Sequence, residues 1–272
     1  MRLRTLALLL CLAPSCNQPA SPQASATPSA PPAAASLEPP IAQVPELVST
    51  SATDVPGLRV VSGTIRHSGV WGFSDLAVDL QLVRLSIVSA KRGAPLAKLL
   101  SRNALAVVNG GYFEADFRPS GWLKHDGVEL ARKSDTSKGG VLALGSTNLY
   151  VGEFSGLKFE PQLAIQSHPL IVEPEGKPGI HRDDGRRAAR TVACLKGGTL
   201  HFILISAPRG EGPTLFESAA LLRDAPPRGF GCTRALNLDG GPSSGVVFGA
   251  DVPARQREPI APVAYGIAIE PR

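Results

Sequence analysis

Apolar and polar positions change places along this chain in short bursts, as strands do, and only twice in longer helical stripes. Leu58–Arg66 alternates weakly, as a first strand would, and residues 76–90 set Leu80, Leu82 and Leu85 among polar neighbours in a longer strand region. Residues 94–102 carry Leu96, Leu99 and Leu100 at helical spacing, with Pro95 acceptable in a first turn, and predict a helix. The apolar run 105–108 then drives into Asn109-Gly110-Gly111-Tyr112-Phe113, a buried strand ending in an amide and two glycines. Loop and hairpin follow over 117–130, turning at Asp126-Gly127, and a second hairpin over 140–154, turning at Ser146-Thr147-Asn148. Residues 163–172 read as a strand interrupted at Ser167-His168-Pro169, and 173–187 as a polar exposed loop. A further hairpin spans 188–196 and 199–206 around Gly197-Gly198.

Thr214-Leu215-Phe216-Glu217 is a capping box, in which a hydroxyl and an acid three residues on satisfy each other's free N–H groups. It opens a helix over 215–223 whose buried face is predicted to hold Leu215, Ala219 and Leu222. Residues 235–249 are two strands joined by a tight polar corner, Asp239-Gly240-Gly241-Pro242-Ser243-Ser244, and 263–269 alternates as a closing strand. Many hairpin-joined strands with two principal helices predict an α+β domain built on a mixed, largely antiparallel sheet.

Composition divides the chain into three parts. Arg2 and Arg4 precede the apolar run 6–12 and the small residues Ala13, Ser15 and Cys16, which is the plan of a secretory signal over residues 1–16. Cys16 resembles a bacterial lipoprotein processing site; the alternative is cleavage without a lipid. Residues 17–56, dominated at their start by Pro, Ala and Ser, predict a disordered tether, and 57–272 the single folded domain. Without Arg2 and Arg4 the formal net charge falls from +5 to +3, and no basic run with interleaved aromatics is present, so nucleic acid is not an expected partner. Of the 4 cysteines, Cys194 and Cys232 lie in the folded part, either as a disulfide, which an exported protein can form, or as two buried thiols.

Asn109-Gly110-Gly111-Tyr112-Phe113, Arg190-Thr191 and Asn237-Leu238-Asp239-Gly240-Gly241-Pro242-Ser243-Ser244, in that order and with the capped helix before the third, resemble the phosphodiester glycosidase family. The resemblance covers roughly residues 58–270. Pro242 stands where the family often has a third glycine, and His168 where it often has a glycine before the proline. The resemblance implies hydrolysis of the C1–O bond between a sugar and a phosphate in an envelope polymer or extracellular glycan. Two other readings stay open: a glycan-binding or polysaccharide-assembly factor without catalysis, and a phosphodiesterase that cuts the P–O bond.

For that chemistry Asp239 is the carboxylate expected to meet the anomeric centre or its attacking water, with Glu114 as a second catalytic candidate beside Asp116. Arg190, a charge inside an apolar strand, is expected to grip the diester phosphate. Gly240, Gly241, Ser243 and Ser244 are expected to cradle phosphate oxygens or sugar hydroxyls. Asn109 closes its strand beside Gly110, either to touch the sugar or to hold the facing loop, and His168 is expected at the cleft. His181, Asp183 and Asp184 sit among Arg182, Arg186 and Arg187, whose charge opposes a cation; no metal site and no cofactor is expected. A membrane is expected as a partner only through a lipid on Cys16, with the protein periplasmic or at the cell surface.

Overall fold

The computed structural model describes residues 44–135, 139–207 and 210–272. The signal segment and Cys16 lie outside them. Among the described residues seventeen strands run in chain order: β1 (Glu46–Val55), β2 (Leu58–Arg66), β3 (Val70–Val78), β4 (Val83–Ala94), β5 (Ala106–Asn109), β6 (Leu123–His125), β7 (Val128–Ala131), β8 (Gly140–Leu144), β9 (Leu149–Gly152), β10 (Leu163–Ser167), β11 (Leu170–Glu173), β12 (Lys177–Pro178), β13 (Arg190–Lys196), β14 (Thr199–Ser206), β15 (Arg234–Asn237), β16 (Val246–Phe248) and β17 (Val263–Pro271). Among the described residues one α-helix, α1 (Leu215–Arg223), accompanies them. The strands form an eight-stranded sheet (β1-β2-β3-β14-β13-β15-β11-β12), a five-stranded sheet (β7-β6-β10-β8-β9) and a four-stranded sheet (β16-β5-β17-β4). Every named pairing is antiparallel.

The fold is therefore more β-rich than the α+β plan with two helices. Residues 96–99 make a single 3-10 turn, Leu100 is already extended, and Leu96 is the turn's one buried residue. One fully buried leucine, with Leu99 and Leu100 only half covered against the same cluster, does not offset the cost of nucleating an α-helix. The long strand region at 76–90 is two strands, because Asp79 makes a turn between them. Its Oδ1 accepts from the Gln81 amide at 2.9 Å, and its carbonyl accepts from Leu82 and Val83. Order also starts earlier than residue 57: β1 pairs with β2 from Glu46↔Arg66 to Val55↔Leu58. Its Ser/Thr-rich, mostly exposed sequence is that of a polar edge strand.

The main core lies where the sheets face one another, with Leu58, Leu76, Phe202, Leu236, Ile165, Leu142 and Ile267 among its members. A second core fills the space between the other face of the eight-stranded sheet and α1, with Ile203, Ile205, Val192, Leu221 and Leu222. This explains the unbroken apolar run of β14. Leu200, Phe202 and Leu204 enter one core while Ile203 and Ile205 enter the other, so neither face needs polar residues. Helix α1 buries Ser218, Ala219, Leu221 and Leu222, a face rotated from the expected one, with Leu215 only half covered. Ser218 tolerates burial because its hydroxyl donates to the Thr214 carbonyl at 2.7 Å. The capping box forms as expected, and a disulfide joins Cys194 of β13 to Cys232 beyond α1, with 5.7 Å between their Cα atoms.

Candidate active site

The ends of strands from all three sheets meet at the corner after β15. Asn109, the last residue of β5, is fully buried and spends its whole amide within the chain. Its Nδ2 donates to the carbonyls of Asp239 (2.8 Å) and Gly110 (3.1 Å), and its Oδ1 accepts from Thr191 Oγ1 (2.8 Å) and the Gly245 amide (3.0 Å). Asn109 thus ties β5, β13 and the 239–245 corner together and has no hydrogen bond left for a sugar. Gly110 is buried with it: a Cβ there would stand 2.2 Å from the Tyr265 ring, and its carbonyl accepts from the Asp239 amide at 3.1 Å. Both residues shape the site and do not line it.

The corner's amides are spent as well. The Gly240 amide hydrogen-bonds to the Asp239 carboxylate, and the Gly241 amide donates to Ala189 at 2.8 Å. The amides of Ser243 and Ser244 close a 3-10 turn onto Gly240 and Gly241. The expected backbone cradle for phosphate is therefore occupied by the protein itself. The glycines serve close approach instead. A Cβ on Gly240 would stand 3.0 Å from the Ala189 carbonyl, and Gly241 has φ +57°, which glycine adopts without strain. Ser243 donates its hydroxyl to Asp239, while the Ser244 hydroxyl is buried and without a hydrogen-bond partner among the described residues.

What remains open is carried by side chains. Burial raises the pKa of Asp239 above the usual aspartate value of 3.8, against the lowering effect of Ser243 and the Gly240 amide. Asn237, two residues earlier, projects to the same side of the strand and donates from Nδ2 to Tyr112 Oη at 2.8 Å and to the His168 carbonyl at 3.1 Å. Tyr112 is held as a neutral phenol, its pKa pushed up to about 12 by burial and by the charge of Asp239, which outweigh Arg190 and Asn237. The His168 ring stacks on Tyr112 with centroids 4.4 Å apart, and that cover lowers its pKa.

Arg190, at the start of β13, is 7% exposed and forms no ion pair among the described residues. Its Nε donates to the Pro213 carbonyl at 3.1 Å and its Nη2 to the Arg186 carbonyl at 2.9 Å. The remaining Nη1 lies 4.0 Å from where a Gly240 Cβ would stand, which places the guanidinium next to the corner. Desolvation lowers its pKa, opposed by Tyr112, Asp184 and Glu217, although it stays charged at any physiological pH. The two anchoring carbonyls are themselves held through one carboxylate. Glu217 accepts from the Thr214 amide (2.9 Å), next to Pro213, and from both Nη atoms of Arg187 (3.0 and 2.8 Å), next to Arg186.

The structure thus brings Asp239, Arg190, His168, Ser243 and Ser244 to one place. It does not bring Glu114 there. That residue sits exposed on a turn whose backbone bonds to Phe117 and Arg118. Tyr112 and Asn237 join the site without having been assigned a role from sequence. The signal for Asn237 was its two-residue spacing from Asp239; for Tyr112 it was an aromatic placed directly after a buried strand's glycine pair. A cavity of about 750 Å³ starts at Pro169, the residue after His168, with Leu170, Phe154 and Lys133 in its wall, and none of the corner's residues lines it.

Comparison with known proteins agrees with the fold. The family model "Phosphodiester glycosidase" matches residues 102–270. The catalytic domain of zebrafish N-acetylglucosamine-1-phosphodiester alpha-N-acetylglucosaminidase, auto-inhibited by pro-peptide, superposes with a TM-score of 0.60 at 18% identity, covering 88% of this chain and 86% of that one. A protein from Synechocystis gives a TM-score of 0.55 at 15% identity; the match covers 79% of this chain and only 62% of that protein. A Burkholderia pseudomallei protein described as exported gives 0.54 at 15% identity, covering 75% of each chain. At these identities the solved structures speak for the fold. No curated protein sequence matches the chain.

Proposed function

The chain belongs to the phosphodiester glycosidase family, and from that premise we propose that it is an exported hydrolase that cleaves the C1–O bond of a sugar-1-phosphodiester. One observation carries the reading: at the junction of three sheets the neutral phenol of Tyr112 feels both the partly buried carboxylate of Asp239 and the guanidinium of Arg190, whose Nη1 lies beside Gly240. Most glycosidases need two carboxyl groups, because an alkoxide leaving group must be protonated. A phosphate leaves with its own low pKa and needs charge stabilisation in place of an acid. Arg190 Nη1 and the Tyr112 hydroxyl supply that stabilisation, one with a full charge and one with a hydrogen bond. As the C1–O bond opens, its electron pair goes to the phosphate oxygen and positive charge grows at the anomeric carbon. Asp239, oriented by Ser243 and the Gly240 amide, meets that charge: it bonds to the anomeric carbon and is then displaced by water, or it takes the proton of the water that bonds there directly, and by either route free sugar and a phosphate monoester result.

The His168–Tyr112 stack gives the sugar an apolar wall, and the cavity beyond Pro169 has room for the rest of a polymer. Export is supported by the basic and apolar start of the sequence and by the Cys194–Cys232 disulfide, which suits an oxidising compartment. A lipid on Cys16 would make the protein an anchored one. Among the described residues no helix is long and apolar enough to cross a membrane.

The test is incubation of the purified protein with a panel of UDP-linked and aryl sugar phosphodiesters. Free reducing sugar is the expected product, with Asp239→Asn losing at least about a hundredfold in kcat, as removal of a transition-state charge partner does. Release of sugar 1-phosphate would instead mean P–O cleavage. No turnover, with glycan binding undiminished in Asp239→Asn, would make the protein a binding factor.

A further inference from the structure

Away from the cleft, a second groove of about 580 Å³ runs between β1, β2, β3 and the segment that carries Arg255 and Arg257. None of its lining residues belongs to the candidate active site, and none is acidic. Its wall holds a row of hydroxyls, Thr50, Ser62, Ser74 and Ser206 among them, on neighbouring strands. Ser62 and Ser74 stand 3.3 Å apart across β2 and β3, and Thr50 Oγ1 donates to the Ser62 carbonyl at 3.2 Å.

Arg257 is the unusual member. Its backbone is fixed by a reciprocal pair of 2.8 Å bonds with Val246, so the side chain is aimed by the strand that leaves the catalytic corner. Nη1 donates to Ser206 Oγ, while Nε is buried with no hydrogen-bond partner among the described residues. Burial lowers its pKa and no carboxylate opposes that effect. A guanidinium left with an unused buried donor and no counter-ion is costly. An anion in the groove would supply the missing counter-charge, and the hydroxyl row beside it matches the hydrogen-bonding surface of a sugar.

We propose that this groove is a second, non-catalytic site that binds an anionic group, carboxylate or phosphate, carried on a glycan chain. Arg257 and Arg255 take the anion and the serine and threonine hydroxyls take the neighbouring sugar. The site would hold a charged polymer independently of the chemistry at Asp239.

The test uses the full chain carrying Asp239→Asn, so that nothing is consumed, titrated calorimetrically with hexagalacturonate, phosphorylated maltohexaose, neutral maltohexaose and sodium phosphate. At least one charged oligosaccharide is expected to bind, and which one tells carboxylate from phosphate. Arg257→Gln is expected to weaken that binding by about tenfold, the loss of one charge-assisted pair, with Arg257→Lys recovering part of it. Arg255→Gln, at an exposed position, is expected to weaken it by a few-fold while leaving turnover of a small aryl phosphodiester by the otherwise unaltered protein unchanged. Equal affinity in the parent and in both glutamine variants would overturn the proposal. So would neutral maltohexaose or free phosphate binding as tightly as the charged oligosaccharides. Because the readout is binding in a chain with Asp239 removed, its outcome is separate from that of the hydrolysis assay.

Discussion

Glu217 offers the most discriminating perturbation, because one carboxylate links the helix cap to the guanidinium at the cleft. Replacing it by alanine removes its bonds to the Thr214 amide, to Arg187 and to Ser68 Oγ (2.6 Å). Loss of the reciprocal cap costs about 1 kcal/mol. The ion pair adds about 1 kcal/mol: Glu217 has only 13% of its side chain exposed but Arg187 has 43%, so solvent screens part of it. A loss of about 2 kcal/mol in a domain of this size lowers Tm by roughly 4–8 °C, measurable by differential scanning calorimetry. The second consequence is kinetic. With Arg186 and Pro213 no longer held, the two carbonyls that orient Arg190 shift, and one misaligned hydrogen bond to the phosphate weakens substrate binding by about fivefold. KM for a sugar phosphodiester should therefore rise while kcat changes little. Glu217→Gln separates the parts, since glutamine also serves in a capping box but carries no charge for Arg187. It should recover about half of the lost Tm. If Glu217→Ala lowers Tm and leaves KM untouched, the residue is a helix cap and nothing more.

Three further outcomes follow from the structure. The acid limb of the kcat/KM profile should lie above pH 3.8, because burial keeps the proton on Asp239 past the usual aspartate range, and Ser243→Ala should move it higher still by removing a group that lowers that pKa; an unmoved limb would remove Ser243 from the site. The same raised pKa means that Asp239 favours folding in its protonated form and that this contribution fades as pH rises through its folded pKa, so Asp239→Asn should melt at a higher temperature than the parent at pH 7. Finally, the disulfide closes a 38-residue separation, worth up to about 4 kcal/mol in chain entropy; guanidinium unfolding with and without reductant should show most of that difference, and coincident curves would mean that the bond adds nothing.

Where turn chemistry and apolar runs are local, the fold could be read from the sequence. The hairpins at Asp126-Gly127 and Gly197-Gly198, the bounds of β2 and the capped helix all rest on residues within a few positions of one another. β1 escaped notice because its partner, and not its own composition, makes it a strand: ELVSTSATDV has little to bury and is ordered by pairing along the whole of β2. The same limit explains the two-helix reading. Leu96, Leu99 and Leu100 have helical spacing, but only Leu96 is fully buried, while Leu99 and Leu100 lie half covered against the same cluster.

The site divides along the same line. Asp239, Arg190 and His168 were legible because each breaks its local pattern: an acid before a glycine pair, a charge in an apolar strand, an imidazole at a strand break. What their neighbours do depends on residues far away in the chain. Gly240, Gly241 and Asn109 look like ligand-binding groups until Ala189, Thr191 and Gly245 are seen to use their hydrogen bonds. Once those are spent, the anion must be met by side chains, and the donors that face the corner are Arg190 Nη1 and the Tyr112 hydroxyl. A rigid corner whose backbone is fully satisfied is also the better mount for Asp239. Its carboxylate is held by Ser243 and the Gly240 amide, so little reorganisation is needed as charge develops at the anomeric carbon.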